Sequence, residues 1–303
     1  MAISRSQLVK ELEPGLNALF GLEYKRYENQ HAEIYTEESS DRAFEEEVML
    51  SGFGNAQVKG EGSGVSFDEA QETFTARYTH ETVALAFAIT EEAIEDNLYD
   101  RLASRYTKAL ARSMSNAKQV KSVEPLINGL PTTDGFDSGD GVSLFNTSHP
   151  TVAGTFANTL ATQADLNETS LEQSLIDIGQ MSDERGLRIA ARGVKMIIPS
   201  ELQFTAERLM KSQGRTGTAD NDVNAIVSMG MIPQGYRVNN YLTDSDAFYI
   251  LTDVPNGMKM FNRAPLTTAM EGDFDTGNVR YKARERYSFG VSDPRGIFGV
   301  EGA

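Results

Sequence analysis

The chain has 303 residues, 40% of them hydrophobic and 24% charged, a composition that supports a sizeable core and excludes wholesale disorder. It contains no cysteine, which excludes disulfides, thiolate metal sites and a cysteine nucleophile. Its 44 acidic against 28 basic side chains give a formal net charge of −16, which repels phosphate backbones at long range and argues against tight general nucleic-acid binding.

No apolar stretch is long enough to span a bilayer, and the opening MAISRSQLVKELEPG lacks the apolar core of a signal peptide, so the protein is expected in the cytosol. Residues 1–43 are polar and charge-rich. They hold one short helix, SRSQLVKELE, that Pro14 and Gly15 are expected to interrupt, and they read as an arm. From Phe44, FEEEVMLSGFGNAQVKGEGSG is a strand-like run ending at Gly60, Gly62 and Gly64. QETFTARYTHETVALAFAIT then alternates as a long returning strand. Together they predict a two-stranded ribbon over residues 44–89 with a glycine-rich tip. Two strands cannot cover each other's apolar faces, so this ribbon needs a neighbour.

Thr90 is the expected N-cap of a long helix, because Glu91 to Val120 contains neither glycine nor proline and Ile94, Leu98, Leu102, Tyr106, Leu110 and Met114 recur every four residues. Its acids (Glu91, Glu92, Glu95, Asp96, Asp100) precede its bases (Arg101, Arg105, Lys108, Arg112, Lys118), the order that suits the helix dipole. At the α-helical rise it would run roughly 45 Å, and Pro125 is expected to close it. After the turn-rich NGLPTTDGFDSGDG the chain mixes elements in an α+β manner. TSLEQSLIDIGQM has helical spacing at Leu171, Leu175 and Ile178. VKMIIPSELQFTAERLMK reads as a buried strand, a break at Pro199 and a helix capped by Ser200. YRVNNYLTDSDAFYILTDVPNGMKMFNR reads as three strands with turns at Asp244 to Asp246 and Pro255 to Gly257.

The last predicted strand, NVRYKARERYSFGV, separates two chemistries. Val279, Tyr281, Ala283, Glu285, Tyr287, Phe289 and Val291 point one way, and Arg280, Lys282, Arg284 and Arg286 point the other. Four like charges on one face repel unless something acidic lies over them.

A search for catalytic chemistry finds no constellation. His31, His80 and His149 lie in segments distant from one another. Ser148 beside His149 lacks the geometry of a triad, and there is no G-x-S-x-G elbow. Asp134, Asp137 and Asp140 hint at a calcium loop, but an EF-hand requires a glutamate at its twelfth position, where Phe145 stands, so these residues and the Asp244/Asp246 pair read as turns. GEGSG precedes no helix, and SQGRTGTADND lacks G-K-[ST], so neither is a phosphate loop.

What remains is a set of elements shaped to touch other copies: arm, ribbon, long helix and basic strand. In this order the segments resemble the major capsid proteins of tailed bacteriophages, the Hong Kong ninety-seven type of fold. The likeness rests on TARYTHETVALAFAITEEAIEDNLYD, LFNTSHP with NTLATQADL, TADNDVNAI, NYLTDSDAFYILTDVPNGMKMFNR and the ending RYSFGVSDPRGIFG. It implies an α+β fold with an N-terminal arm over 1–43 and an extended loop over 44–89. A peripheral domain would be formed by 90–130 and 265–303 around a spine helix, and an axial domain by 131–264. It implies a structural subunit that self-assembles as pentamers and hexamers into an icosahedral head, with scaffolding, portal and decoration proteins as partners and no cofactor, metal or membrane. Such a head assembles in the host bacterial cytoplasm and encloses double-stranded DNA without binding it tightly. The short arm leads us to expect no cleaved scaffolding segment. Lys59 near the loop tip would serve a lysine–asparagine crosslink only with an asparagine and a carboxylate from neighbours.

Two other classes stay open: a virion decoration or binding protein, and a hydrolase whose scattered Asp and His would converge in a pocket. For the basic strand, the expected cover is the acidic run where arm meets loop, Glu37, Glu38, Asp41, Glu45, Glu46 and Glu47, in contact between copies. The alternative is a solvated face.

Overall fold

The computed structural model describes residues 5–90, 92, 99–133, 135–214, 222–273 and 277–303. The first part contains helix α1 (Arg5–Tyr24) and strands β1 (Thr36–Ser39), β2 (Phe44–Leu50), β3 (Glu72–Thr79) and β4 (Glu81–Ile89), followed by the long helix α2 (Tyr99–Asn128). The middle holds β5 (His149–Thr151), β6 (Gly154–Phe156), α3 (Glu168–Gln180), β7 (Gly193–Ile198), α4 (Gln203–Lys211) and α5 (Ala225–Met229). The chain ends with β8 (Tyr236–Val238), β9 (Phe248–Thr252), β10 (Met258–Gly272), β11 (Val279–Val291) and β12 (Ile297–Val300). One sheet runs β1-β10-β11-β4, a second runs β12-β9-β7-β8, and β2 with β3 forms a separate ribbon.

The alternation read in the last long strand organises the first sheet. Val279, Tyr281, Ala283, Glu285 and Tyr287 are buried, whereas Arg280, Lys282 and Arg284 are exposed and Arg286 is half-buried. Tyr281 and Ala283 pack with Ala103, Leu110, Ala111 and Met114 of α2 and with Leu16 and Phe20 of α1. The inner face of β11 therefore meets the long helix, as expected from its pattern. The buried line on α2 drifts from the every-four row: Tyr106 is half-exposed while Ala103 and Ala111 are buried. Four residues advance a helix by about 400°, so a strict every-four row slides off one face. Ile94 and Leu98 lie outside the described residues.

Four local expectations change. Helix α1 continues through Pro14 rather than stopping there. An interior proline costs about 3 kcal/mol, and burial of Leu16 and Phe20, at about 1.5–3 kcal/mol each, offsets it. Pro125 sits inside the last turn of α2, which carries Leu126 into the core before the helix ends at Asn128. Ser200 does not cap a helix: it opens a short 3-10 turn, and its hydroxyl bonds the Glu201 carboxylate at 3.0 Å. The long returning strand is broken at His80, with β3 pairing with β2 and β4 leaving to pair with β11 from Ile89↔Val279 to Glu81↔Tyr287. His80 marks the switch because its ring bonds Ser40 and Ser288, each at 2.9 Å, fixing the corner.

The second sheet packs against α3, α4 and α5 around Leu171, Ile178, Met196, Ile198, Phe248 and Phe298. Strand β12 pairs with β9 in this sheet, and its Ile297 shares a core with Tyr249 of β9 and with Val123 and Leu126 of α2. Two close approaches fix this crossing. A Cβ on Gly296 would lie 2.3 Å from the Gly257 backbone, and one on Gly290 would lie 2.6 Å from the Tyr78 ring.

Charged groups are buried where the ending meets the middle. The Arg295 guanidinium, 3% exposed, bonds Glu184 at 2.5 Å, Asp293 at 3.2 Å and the Ser182 carbonyl at 2.8 Å, and lies over the Phe156 ring. Phe156 stacks on His149, whose two ring nitrogens face Asp140 at 2.6 Å and Asn158 at 2.9 Å. Burial pushes the Asp140 carboxyl up, but hydrogen bonds from His149, Ser138 and Val142 more than offset this and hold it below the usual carboxylate range. His149, Asp137 and Asp140 are thus structural, and Asp134 lies outside the described residues. Removing one partner of a buried ion pair leaves an uncompensated charge, so Arg295→Met should lower stability by about 3–5 kcal/mol. A reduced urea midpoint with unchanged slope checks this, and an unchanged midpoint would refute it.

Candidate subunit-contact surface

The outer face of the β1-β10-β11-β4 sheet is divided in two. At one end it is covered: Tyr78 of β3 lies over Gly290, Tyr78 packs on Phe261 with ring centroids 4.8 Å apart, and His80 bonds Ser288. Along the rest runs the row Arg280, Lys282, Arg284 and Arg286. Its neighbours are small. On β4 the opposing residues are Ala88, Ala86, Ala84 and Thr82, and on β10 Lys282 and Arg284 face Ala269 and Thr267. Basic side chains flanked by alanine and threonine stand clear of the sheet and can lean sideways.

Arg280 is paired with Asp273 and stands opposite Glu271, and the Arg286 guanidinium reaches the His80 carbonyl at 3.5 Å. Lys282 and Arg284 make no ion pair among the described residues. Among the described residues, no acidic side chain neutralises either charge.

The arm acids do not lie over this row. Glu38 and Glu47 close on Lys259 at 3.2 and 2.6 Å, at the covered end of the same face. Burial pulls the Lys259 ammonium down, but hydrogen bonds from Glu47 and Glu38 outweigh it and hold its pKa above the usual lysine range. Glu46 meets Arg77 at 3.8 Å, Glu45 accepts from Ser40 at 2.7 Å, Glu37 lies 3.3 Å from His31, and Asp41 is exposed. Inside one copy Glu38 and Glu47 tie arm and ribbon base to the sheet through Lys259. Lys259 is the residue that pattern reading missed. Its segment, MKMF, reads as an apolar strand, and only the pairing of β1 with β10 brings Glu38 within reach.

Behind the row, Glu285 is buried on the apolar face, 3.6 Å from the Lys118 ammonium and 3.5 Å from the Tyr24 hydroxyl. Burial pushes its carboxyl up, against the pull of Lys118. Among the described residues no cluster of histidines and carboxylates is arranged to hold a metal ion. Nor is any described helix long and apolar enough to cross a membrane.

Beyond β2 the ribbon has no regular structure from Ser51 to Gln71, and this stretch leaves Val58 and Phe67 99% and 98% exposed. Arg185 touches it through Asp68 at 2.9 Å and the Glu69 carbonyl at 2.8 Å.

This architecture has known counterparts. The phage capsid protein family matches residues 72–300. The chain is similar in fold to a virus-like particle protein from Pyrococcus furiosus, with 12% identity, a TM-score of 0.53 and coverage of 94% of this chain and 98% of that one. It is also similar to the capsid of Myoviridae phage XM1, with 14% identity, a TM-score of 0.53 and coverage of 89% of each chain. Mycobacterium phage Ogopogo supplies a third, at 13% identity and a TM-score of 0.51, covering 91% of this chain and 92% of that one. No curated protein matches the sequence. With three quarters of its length matched and its sheets, long helix and ribbon in place, the chain belongs to the phage capsid protein family and functions as a major capsid protein.

Proposed function

We propose that this capsid protein is the repeating, non-enzymatic subunit of an icosahedral head, self-assembled in the host bacterial cytoplasm as pentamers and hexamers around double-stranded DNA. Scaffolding, portal and decoration proteins are its proposed partners. The arm over 1–43, the loop over 44–89, the peripheral part over 90–130 and 265–303 and the axial part over 131–264 are the proposed working units. The observation that carries the reading is a surplus of surface that one copy does not use. Lys282 and Arg284 make no ion pair among the described residues, and an extended loop of about twenty residues holds exposed Val58 and Phe67. Isolated apolar side chains on a surface are ordinary, but an extended loop that exposes several, in a chain that also presents a row of four bases, suits a contact with another copy.

Arg280, Lys282, Arg284 and Arg286 are the proposed contact on one side. On the other, Glu37, Glu38, Asp41, Glu45, Glu46 and Glu47 of a second copy are the proposed acidic partners, all but Glu45 and Glu47 exposed. Each exposed ion pair contributes only about 0–1 kcal/mol, so the effect lies in repetition over a closed shell, which sets register and makes assembly salt-sensitive.

The double change Lys282→Glu and Arg284→Glu touches no ion pair among the described residues and should leave the thermal midpoint in place while abolishing shells seen by sedimentation and negative-stain microscopy. Shells as abundant as the parent's at low salt would show that the row is only solvated surface. The net charge of −16 leads to a second expectation, weak DNA binding by free subunits at physiological salt. Filter binding should give a dissociation constant above about 1 μM, the range of nonspecific phosphate contacts, and submicromolar, salt-sensitive binding would contradict it.

A further inference from the structure

We propose that the cavity between the base of the ribbon and the end of β9 is a binding site for a linear polyamine, a chain of methylenes that carries two or more ammonium groups. The site lies within one chain, so it stands or falls apart from the shell reading.

The cavity measures about 340 Å³, within the range of small-molecule sites, about 300–1,000 Å³. It is lined by residues 49–52 where the chain leaves β2, by Asp183 and Glu184 after α3, by Asp253 and Val254 after β9, and by Asp293 and Arg295 near the end of the chain. Four of these residues are carboxylates, and each engages one oxygen within the chain. Asp183 Oδ1 accepts from the Arg185 and Leu187 backbone N–H groups at 2.9 and 2.7 Å, and Asp253 Oδ1 accepts from that of Arg192 at 2.8 Å. Asp293 Oδ1 accepts from the Arg295 backbone N–H at 2.9 Å and from its guanidinium, and Glu184 Oε1 accepts from the guanidinium alone. Among the described residues the second oxygen of each has no donor.

Glu184 is 2% exposed, and its Oε2 is buried at the wall of this cavity without a hydrogen-bond partner. Buried polar atoms are almost always satisfied, so an orphan carboxylate oxygen beside a cavity points to a donor supplied from outside the chain. Burial pushes the Asp293 carboxyl up, against the pull of Arg295, so one guanidinium does not compensate for two carboxylates taken out of water.

The walls select the kind of cation. A calcium or magnesium ion needs several oxygens converging on one point at about 2.0–2.6 Å, and among the described residues no three carboxylates or histidines do so. Carboxylates that surround a cavity without converging suit charges that are themselves spaced apart. Leu50, Ile189 and Val254 add apolar surface to the same cavity, against which the methylenes between ammonium groups can lie. Because residues of the ribbon base and of the second sheet share the cavity, the bound ligand braces one against the other. It also lowers the self-repulsion of a chain whose net charge is −16.

Spermidine titrated into the purified chain at physiological salt, with the heat of binding recorded, tests this. The expected result is saturable binding at a single site per chain, with a dissociation constant below about 100 μM, and at least ~10-fold weaker binding of n-butylamine, which has a single ammonium. The pair Asp183→Asn and Asp253→Asn leaves both Oδ1 acceptors available and should weaken spermidine at least ~10-fold at an unchanged thermal midpoint. Glu61→Gln with Glu69→Gln removes the same charge from exposed positions outside the cavity and should leave the constant unchanged. Absence of saturable binding up to about 1 mM overturns the site, and so does an equal loss from both pairs, the mark of diffuse counterion attraction. Butylamine binding as tightly as spermidine, or magnesium displacing spermidine at equal concentration, overturns the polyamine assignment. Hydrogen exchange on the unmodified chain is independent of any variant. Spermidine should slow exchange at residues 49–52 and 253–254, and exchange there that is unchanged, or slowed alike throughout the chain, would overturn the proposal.

Discussion

One strand has to satisfy two environments at once, and the rest of the molecule is arranged around that demand. The inner side of β11 supplies Tyr281 and Ala283 to the core beneath α2 and α1, while its outer side carries four bases. Because successive side chains alternate, a slip of one residue would bury the cations and expose the tyrosines. Register is therefore fixed by a penalty far larger than any single contact. Every other element of that sheet takes its place from β11: β4 along one edge, β10 along the other, and β1 beyond it.

The buried charges follow from the same geometry. Glu285 interrupts the apolar side of β11 and is tolerated because Lys118 of α2 and Tyr24 of α1 converge on it. Arg295 does the corresponding work at the chain's end, collecting Glu184 and Asp293 beneath the second sheet. A buried pair is weak as a source of stability but costly to break, so these groups act as locators. They determine which helix sits on which strand. Lys259 locates from the surface: with Glu38 and Glu47 it fastens arm and ribbon base to the end of the bare row.

Much of this was legible in the sequence. The two faces of β11 follow from a strict period of two over VRYKARERY, and the helix over LEQSLIDI follows from its spacing at Leu171, Leu175 and Ile178. The resemblance of ordered segments then supplied the fold. Long-range pairing was not legible. QETFTARYTHETVALAFAIT has no glycine or proline at His80, so nothing local announces that β3 and β4 belong to different sheets. That break comes from Ser40 and Ser288, residues far away in the chain. Pro14 and Pro125 misled for a related reason, since a local penalty of about 3 kcal/mol is overridden by burial that only the assembled core reveals. The acids at 37–47 read as the cover of the basic strand between copies, and pattern alone does not show that two of them, Glu38 and Glu47, meet a cation within the chain. Lys259, the cation that Glu38 and Glu47 meet, lies more than two hundred residues away.

The account holds that one side of β11 is spent on folding and the other is kept for assembly, with β4 as the edge left open. Amide hydrogen exchange, compared residue by residue between free subunits and shells, tests this most directly. The account predicts strong protection of Val279–Val291 in both states, and rapid exchange in free subunits at those alternate amides of Glu81–Ile89 that point away from β11, slowing at least ~100-fold in shells. Equal exchange of Glu81–Ile89 in the two states would mean that the edge stays open in the shell, and the division of labour across β11 would be wrong.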